Sequence, residues 1–309
     1  MQRLGRKRRA PQPVLKGAGP GRLKVSVTVL IKYQLMKPIG NPMIFRHSPL
    51  EEALRKMARF GYKRLEIWPP QIQSCRTDDL RRQFADFASA QGLSLVRLNA
   101  AGADYFVPLR SKRDARPILE GLKRDIDIAH SLGMKQLLSW EGRPPEGARQ
   151  SDIYGWILDE TVNLFREAVS YGKTKAISIS VEVHPFTLGI DLDFLVELCD
   201  RIDSDSFGVT YDCCHFGVGL PKDYIAAIPK LGRRIKHVHF SDSDKQSSEL
   251  HFAIGTGCLD LAGIAKALKQ IKFNGTMMLD LWLYPFPEEG TRISLPYVSK
   301  LMKTLGLKE

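Results

Sequence analysis

Short runs of β-branched and apolar residues alternate along the chain with longer segments whose apolar residues recur at helical spacing. Two clear helical segments are Leu195, Leu198, Cys199 and Ile202, and Leu261, Ile264, Ala265 and Leu268. The predicted strands are Lys24–Ile31, Arg64–Trp68, Ser94–Leu98, Lys135–Trp140, Ile177–His184, Gly208–Asp212, Lys236–Phe240 and Thr276–Trp282. Further helices are predicted near residues 50–60, 77–91, 114–131, 152–171 and 222–231, and at Leu295–Leu305.

A strand–helix alternation that repeats eight times predicts a single closed parallel barrel of the (β/α)8 class, the α/β fold known as the TIM barrel. The alternative is a doubly wound open sheet, but no glycine-rich phosphate-binding sequence follows the first predicted strand. Five glycines stand just before strands, where a preceding helix often ends in the left-handed conformation. We expect that conformation at Gly61, Gly92, Gly133, Gly172 and Gly275.

Composition narrows the class of protein without indicating an activity. The chain has 309 residues, of which 43% are hydrophobic and 26% charged, as in an ordinary globular protein. No stretch approaches the roughly 18 consecutive apolar residues that a membrane-spanning helix needs. Five scattered cysteines, and the absence of an apolar segment after the basic N-terminus, favour a cytoplasmic protein without disulfides.

Most of the net positive charge lies at the N-terminus. The formal net charge is +12, and residues 1–22 contain seven lysines and arginines but no acidic residue. Residues 23–309 carry 39 basic and 34 acidic side chains, an ordinary balance for a protein of this size. We therefore predict a disordered basic tail at 1–22 and a catalytic barrel domain at 23–309, and we expect neither nucleic acid nor a membrane as a partner.

Candidate chemistry lies where the last four predicted strands end. In a parallel barrel the carboxyl ends of all strands meet at one mouth, where active sites are built. These four strands end in potential metal ligands, namely Glu182, Asp212, His239 and Asp280. His239 is preferred to His237 because it lies two residues nearer the mouth. Three carboxylates and one imidazole suit one divalent ion, for which we predict Mn²⁺, with Mg²⁺, Co²⁺ or Zn²⁺ as alternatives.

Four segments around these residues resemble those of a known family. They read VEVHPF, TYDCCHF, IKHVHFSD, and GTGCLDL followed by MMLDLW. In this order they are similar to the ligand-bearing segments of the xylose isomerase-like TIM-barrel superfamily, in particular its sugar isomerase/epimerase family, to which endonuclease IV is related. The resemblance extends over about residues 24–305 and implies the barrel fold together with a bound divalent metal ion.

The resemblance also implies roles for single residues. Glu182, Asp212 and His239 fall on metal ligands of the family. His215, three residues after Asp212, falls on a substrate-binding histidine. Lys245 stands where ketose 3-epimerases often use an arginine to bind the substrate.

Two positions depart from the family pattern. Asp280 stands where the last ligand is usually glutamate, so its carboxylate arm is one methylene shorter. Leu188 replaces the second carboxylate that ketose 3-epimerases place six residues after the glutamate of strand five. The second difference separates this chain from the ketose 3-epimerase pattern.

The candidate residues match the chemical steps by which a keto sugar is isomerised or epimerised. Isomerisation or epimerisation removes a weakly acidic proton beside a carbonyl, and a bound divalent cation stabilises the enediolate that forms. A carboxylate or histidine on each side of the substrate can then act as base and acid. Glu182 and Asp280 lie on strands five and eight, across the predicted metal site, and His184 is a third candidate. We therefore predict a metal-dependent isomerase or epimerase acting on a keto sugar or related polyol.

Further residues at the strand ends are candidates for binding a sugar. Trp68, Trp140 and Trp282 could stack on the C–H face of a sugar ring. Glu66 and Glu141 could accept hydrogen bonds from its hydroxyl groups. No cluster of basic residues with glycine marks a phosphate site near strands seven and eight, which favours an unphosphorylated sugar. We also expect a homo-oligomer.

Other activities are left open by the sequence. A lyase of the same family would begin by removing the same proton beside a carbonyl. Examples are the catalytic subunit of a C-glycoside deglycosidase and a sugar or inosose dehydratase. The deglycosidase would need a small partner subunit. An endonuclease IV-like repair enzyme is suggested by Glu249-Leu250-His251 and the basic tail. Against repair, Glu66–Pro70 and Leu98–Ala101 lack the histidines which that enzyme places after strands two and three. A further alternative is a binding protein without catalytic activity, and absence of metal from the purified protein would indicate it.

Overall fold

Eight parallel strands close into a barrel in the order in which they occur along the chain. The computed structural model describes residues 36–72, 74–100 and 115–307. The strands are β1 Lys37–Gly40, β2 Arg64–Ile67, β3 Ser94–Asn99, β4 Gln136–Ser139, β5 Ser178–Glu182, β6 Phe207–Asp212, β7 Ile235–Phe240 and β8 Thr276–Leu279. Strand β1 pairs with both β2 and β8, which closes the sheet and confirms the predicted TIM barrel.

Helices connect the successive strands and bury their apolar faces against them. The α-helices are α1 Leu50–Arg59, α2 Asp78–Ala90, α3 Ala115–Ser131, α4 Gln150–Asp152, α5 Leu158–Thr174, α6 Leu192–Ile202, α7 Cys213–Gly219, α8 Tyr224–Leu231, α9 Leu261–Gln270 and α10 Pro287–Thr304. Shorter 3₁₀ segments are Pro42–Phe45, Pro69–Ile72, Leu188–Ile190 and Gly232–Arg234, and Ile153–Ile157 forms a π-helical turn. Every predicted helix has a counterpart, whereas α7 was not predicted.

The first strand of the barrel was not among the predicted strands. The sequence of β1, KPIG, places a proline and a glycine within four residues and lacks the β-branched run typical of a strand. Gly40 is needed there because a Cβ atom would overlap the side chains of Met57 and Tyr62. Strands β2 to β8 agree with the other seven predicted strands to within a few residues. The predicted strand Lys24–Ile31 lies outside the described residues.

Three of the five predicted left-handed glycines are confirmed, and two are wrong. The confirmed residues are Gly61, Gly92 and Gly133, with φ values of 91°, 73° and 71°. Gly172 instead lies inside α5, and the left-handed residue before β5 is Ala176. Before β8 the left-handed residue is Lys272 rather than Gly275. A Cβ atom would lie 2.8 Å from a backbone oxygen at Gly172 and 2.5 Å from one at Gly275, so close backbone packing explains both glycines.

The interior of the barrel differs in character from the layer between sheet and helices. That outer layer is apolar, whereas the strands turn buried polar side chains inward, among them Glu66, Arg97, Thr210 and His237. All five cysteines are free thiols. Within the described part of the chain, no helix is long and apolar enough to cross a membrane. The predicted boundary between a tail at 1–22 and a barrel domain at 23–309 falls outside the described residues.

Candidate metal centre

The four predicted ligands lie side by side at the mouth of the barrel. Glu182 ends β5, Asp212 ends β6, His239 lies one residue before the end of β7, and Asp280 directly follows β8. Neighbouring strands are paired so that Asp212 lies opposite His239, which brings their side chains to one place. The four side chains offer ligand atoms that all lie within 4.8 Å of one another.

His239 lies at the centre of this group. Its Nδ1 atom is 2.5 Å from Oε1 of Glu182, 3.4 Å from Oδ2 of Asp212 and 3.7 Å from Oδ2 of Asp280. Burial opposes a charge on the ring, but the carboxylates of Glu182 and Glu66 raise the pKa of His239 well above its ordinary value. Three buried carboxylates facing one imidazole leave an excess of negative charge, which a divalent cation would balance. This donor set fits the oxygen-preferring ions Mn²⁺, Mg²⁺ and Co²⁺, and also Zn²⁺.

The orientation of Asp212 is set by the helix that begins directly after it. Its Oδ1 atom accepts a hydrogen bond of 2.8 Å from the backbone N–H of His215 and so caps α7. Its Oδ2 atom faces His239. Burial alone would raise the pKa of Asp212, but the neighbouring His215 and His251 hold it well below its usual range. The side chain is therefore a charged carboxylate suited to bind a cation.

Three histidines form one wall of the mouth. The ring centroids of His184 and His215 are 3.8 Å apart, and Nε2 of His215 lies 3.3 Å from Nε2 of His251. The other ring nitrogen of His251 lies 2.8 Å from Oδ2 of Asp280. Burial and the neighbouring His215 lower the pKa of His184 well below its ordinary value. The structure thus adds His251 to the site, whereas the sequence suggested it only for a repair enzyme.

One buried carboxylate holds the loop that follows His251. Oδ2 of Asp242 accepts hydrogen bonds from the backbone N–H groups of Gly255 and Gly257, at 3.1 and 2.9 Å, and Oδ1 accepts one from Leu259 at 3.0 Å. A Cβ atom at Gly257 would lie 2.5 Å from Oδ1 of Asp242, so this position requires glycine. The glycine-rich segment therefore supports the loop beside the site.

A cavity of about 300 Å³ opens above the four ligands. The predicted site residues that line it are Glu182, His184, His215, His239, Asp280, Trp140 and Trp282. It is also lined by Asn99, Arg143 and Phe186, which sequence reasoning did not assign to the site. The guanidinium of Arg143 lies 4.2 Å from the centroid of the Phe186 ring. Both residues follow strands in irregular loops, where no periodic pattern indicates the direction of a side chain.

The three predicted tryptophans have different positions. The indole N–H of Trp140 donates a 3.0 Å hydrogen bond to Oε2 of Glu182, which holds that carboxylate from the mouth side. The indole N–H of Trp282 donates a 3.2 Å hydrogen bond to Oε2 of Glu249. Trp68 packs edge-on against Trp282, with 5.7 Å between ring centroids, and does not itself line the cavity.

Two further predicted substrate-binding residues are not brought to the cavity. The ammonium of Lys245 lies 4.6 Å from the centroid of the Tyr224 ring instead. Oε1 of Glu141 accepts a 2.8 Å hydrogen bond from the backbone N–H of Gly189, which anchors the loop after β5. Burial raises the pKa of Glu141 to about 7. The loops after β4 and β7 therefore turn the side chains of Glu141 and Lys245 away from the cavity, where the sequence had predicted them to bind the substrate.

A second group of buried polar side chains lies beneath the mouth, inside the barrel. It contains Glu66 of β2, Arg97 of β3 and His237 of β7, and it reaches His239 from below. Burial and the charge of Arg97 lower the pKa of His237 to about 3. Arg97 was missed by sequence reasoning, although an arginine between apolar residues of a strand, as in the LVRL run of β3, is a signal for a buried charge partner.

Comparison with known proteins agrees with this architecture. The model of the family described as xylose isomerase-like TIM barrel matches residues 54–301, and the chain belongs to that family. It is 27% identical over 189 residues to an uncharacterized protein of Methanocaldococcus jannaschii, a match that covers 60% of this chain and spans just under two thirds of the relative, 64%. It is 24% identical over 250 residues to an L-ribulose 3-epimerase of Methylomonas sp. strain DH-1, covering 74% of this chain and 77% of the relative.

Solved structures show the same fold. D-psicose 3-epimerase from Clostridium cellulolyticum H10, determined with D-tagatose, superimposes with a TM-score of 0.72 at 13% identity and covers 86% of this chain and 99% of its own. The IOLI protein with a bound zinc atom superimposes with a TM-score of 0.71 at 20% identity, covering 87% of this chain and 99% of its own. At these identities the likeness concerns the fold.

Proposed function

We propose that this member of the xylose isomerase-like TIM-barrel family is a divalent-metal-dependent isomerase or epimerase of a keto sugar or related polyol. The observation that carries the proposal is the convergence of Glu182, Asp212, His239 and Asp280 at the mouth of the barrel, where all of them except the fully buried Asp212 line the cavity. Names of relatives support it, because they include an L-ribulose 3-epimerase and a D-psicose 3-epimerase. The volume of the cavity and the indole rings of Trp140 and Trp282 that line it suit a small sugar.

The four converging residues would hold the ion, for which we propose Mn²⁺. When bound, a divalent cation polarises the carbonyl and stabilises the negative charge that develops next to it. A structural neighbour that binds a zinc atom supports a metal role for a protein of this fold. The substrate would be bound through His215, Trp140 and Trp282, which line the cavity above the ligands.

Proton transfer is assigned to the two sides of the site. Glu182 lies on β5 and is oriented by the indole N–H of Trp140, so it is placed to remove the proton beside the substrate carbonyl. Asp280 follows β8 on the other side of His239 and is paired with His251 at 2.8 Å. The pair can return the proton to the opposite face of the carbon or to its neighbour.

The metal assignment is tested first. Purified protein should contain about one divalent ion per chain. The Asp212→Ala variant should lose this ion, because the substitution removes both a metal ligand and the side chain that caps α7. Asp205→Ala is the matched control, since Asp205 is an exposed aspartate just before the same strand at its opposite end. Elemental analysis of both variants decides the point. Full metal content in Asp212→Ala would overturn the assignment.

The reaction class is tested by solvent exchange. Unphosphorylated ketopentoses and ketohexoses incubated with the metal-loaded protein in deuterated water should gain deuterium beside the carbonyl, measured by NMR. Glu182→Gln should stop this exchange while retaining some metal, and Asp280→Glu, which restores the usual family residue, should remain active. A metal-loaded protein that exchanges no sugar proton would contradict the proposal. Exchange followed by loss of a leaving group would instead establish the lyase alternative.

A further inference from the structure

A buried network of charges lies inside the barrel, directly beneath the proposed metal centre. Oε2 of Glu66 is 3.0 Å from Nε of Arg97 and 3.4 Å from Nε2 of both His237 and His239. Glu66 and His237 are fully buried, and Arg97 is 1% exposed. These side chains come from strands β2, β3 and β7, which are far apart along the chain. Charges are rarely buried so completely without a role or a partner.

Arg97 holds Glu66 in a fixed position. Its Nη2 group donates hydrogen bonds to Oγ of Ser180 at 3.0 Å and to Oγ1 of Thr210 at 2.7 Å. Those two hydroxyl groups are also hydrogen-bonded to each other at 2.8 Å. The guanidinium is therefore restrained by β5 and β6 and presents its Nε to the glutamate. The carboxylate of Glu66 is both neutralised and restrained by this arrangement.

The two ring nitrogens of His239 face opposite partners. Nδ1 points to the carboxylates of Glu182, Asp212 and Asp280, while Nε2 points to Glu66. A neutral imidazole carries one N–H, and a metal ligand must offer its other nitrogen as a lone pair. A carboxylate facing Nε2 favours the N–H on that side, which leaves the lone pair of Nδ1 for a cation.

We propose that Glu66, restrained by Arg97, is a positioning residue of the metal centre that accepts the Nε2–H of His239 and thereby makes Nδ1 the ligand atom. This inference rests on the proposed function, because it assumes that the four carboxylate and imidazole groups hold an ion. It extends the site to strands β2 and β3, none of whose residues are among the four ligands. The metal affinity of the mouth is accordingly set in part from inside the barrel.

The alternative is that this buried group is itself a second cation site, but its charges oppose that. Glu66, His237 and His239 are close enough together to hold an ion of their own. The guanidinium of Arg97, however, lies 3.0 Å from Oε2 of Glu66, the carboxylate oxygen that faces both histidines. A second cation beside that fixed positive charge would be strongly repelled, whereas an N–H donor would not be.

The test compares metal affinity in two variants with a control. Glu66→Gln removes the charge of the acceptor, and Glu66→Gln with Arg97→Met removes both charges, so that no unpaired arginine is left inside the barrel. Asp125→Asn is the control, because it removes a buried carboxylate on α3 in the outer helical layer. The dissociation constant of Co²⁺ is measured by competition with a chelator, together with the visible absorption spectrum of the bound cobalt.

We expect the Co²⁺ dissociation constant to rise by roughly 10- to 100-fold in both Glu66 variants, with a changed cobalt spectrum, and by less than about two-fold in the control. In the wild-type protein loaded with a diamagnetic divalent ion, ¹⁵N NMR should show His239 with its only ring proton on Nε2. This measurement does not depend on whether any variant folds.

Three results would overturn the inference. Unchanged affinity and spectrum in both Glu66 variants would remove the positioning role while leaving the metal centre and the proposed function intact. A proton on Nδ1 of His239 in the metal-loaded protein would do the same. Two ions per wild-type chain, with one lost in Glu66→Gln, would make the lower group a second cation site. Failure of the wild-type protein to bind any divalent ion would instead contradict the proposed function itself.

Discussion

Glu182 and Glu141 are two acidic residues at the ends of neighbouring strands, and their environments differ because of single contacts. Glu182 faces an imidazole and accepts a hydrogen bond from Trp140. Glu141 faces a backbone N–H of the loop after β5 and is buried away from the cavity. Burial favours the neutral form of a carboxyl group, and it raises the pKa of Glu141 to about 7. Residues of the same type at equivalent strand ends thus have different chemistry.

Glu141 should make the stability of the protein depend on pH. Its pKa in the folded protein, about 7, is above the ordinary value of 4.5 mainly because of burial, with a smaller contribution from the charge of Glu182. The folded state therefore binds this proton more tightly than the unfolded state. The resulting stabilisation is complete below pH 4.5 and is lost as the pH rises through 7, a change of roughly 3 kcal/mol at most.

Glu141→Gln keeps the carbonyl that accepts the Gly189 N–H but does not titrate. Urea unfolding of both proteins between pH 4.5 and 8 measures the effect. The difference between their unfolding free energies should shift with rising pH in favour of the variant. Parallel curves across this range would show that the carboxyl group titrates normally.

At the scale of elements, the junctions between helices and strands position the site. Asp212 ends β6 and caps α7, so one residue joins a strand, a helix and the metal centre. The junction between α5 and β5, which leads to Glu182, depends on close packing: Gly172 lies against the backbone oxygen of Ile177, and Ala176 adopts a left-handed conformation. Sequence reasoning expected the left-handed residue at Gly172. It did not include the approach of the next strand, which is a tertiary contact.

Substitutions at this junction should have opposite effects. Gly172→Ala should destabilise the protein by roughly 1–3 kcal/mol, because its Cβ would lie 2.8 Å from the oxygen of Ile177. Ala176→Gly should stabilise it by about 1 kcal/mol, since φ is 56° at this position and glycine adopts such values without strain. Chemical denaturation of the two variants gives both numbers. Stabilisation by Gly172→Ala would mean that helix propensity outweighs the close contact.

At the scale of the whole molecule, barrel closure brings together residues that are distant along the chain. Glu66 and His239 are 173 positions apart yet lie 3.4 Å from each other. Closure itself depends on β1, which pairs with β8 along its whole length, from Lys37 with Thr276 to Gly40 with Leu279. The barrel is thus closed by four residues whose sequence is not typical of a strand.

Removal of residues 1–22 should leave the barrel intact. This segment has seven basic residues and no periodic apolar pattern with which to pack against a barrel. A chain that begins at residue 23 should therefore have the melting temperature of the full-length protein, within about one degree, and the same rate of sugar proton exchange. A lower melting temperature or a slower exchange would show that the segment belongs to the catalytic domain.

The sequence by itself determined the barrel and the four residues that meet at its mouth. Both follow from local periodicity and from the rule that parallel strands end on one side, so Glu182, Asp212, His239 and Asp280 could be placed without coordinates. The tertiary structure decided what surrounds them. The β1 strand, the charge partner Arg97, the pairing of His251 with Asp280, and the turning away of Lys245 and Glu141 all depend on loop paths and on contacts between distant strands. Such contacts leave no periodic trace in the chain, because they are made by backbone segments whose direction is set only when the barrel closes.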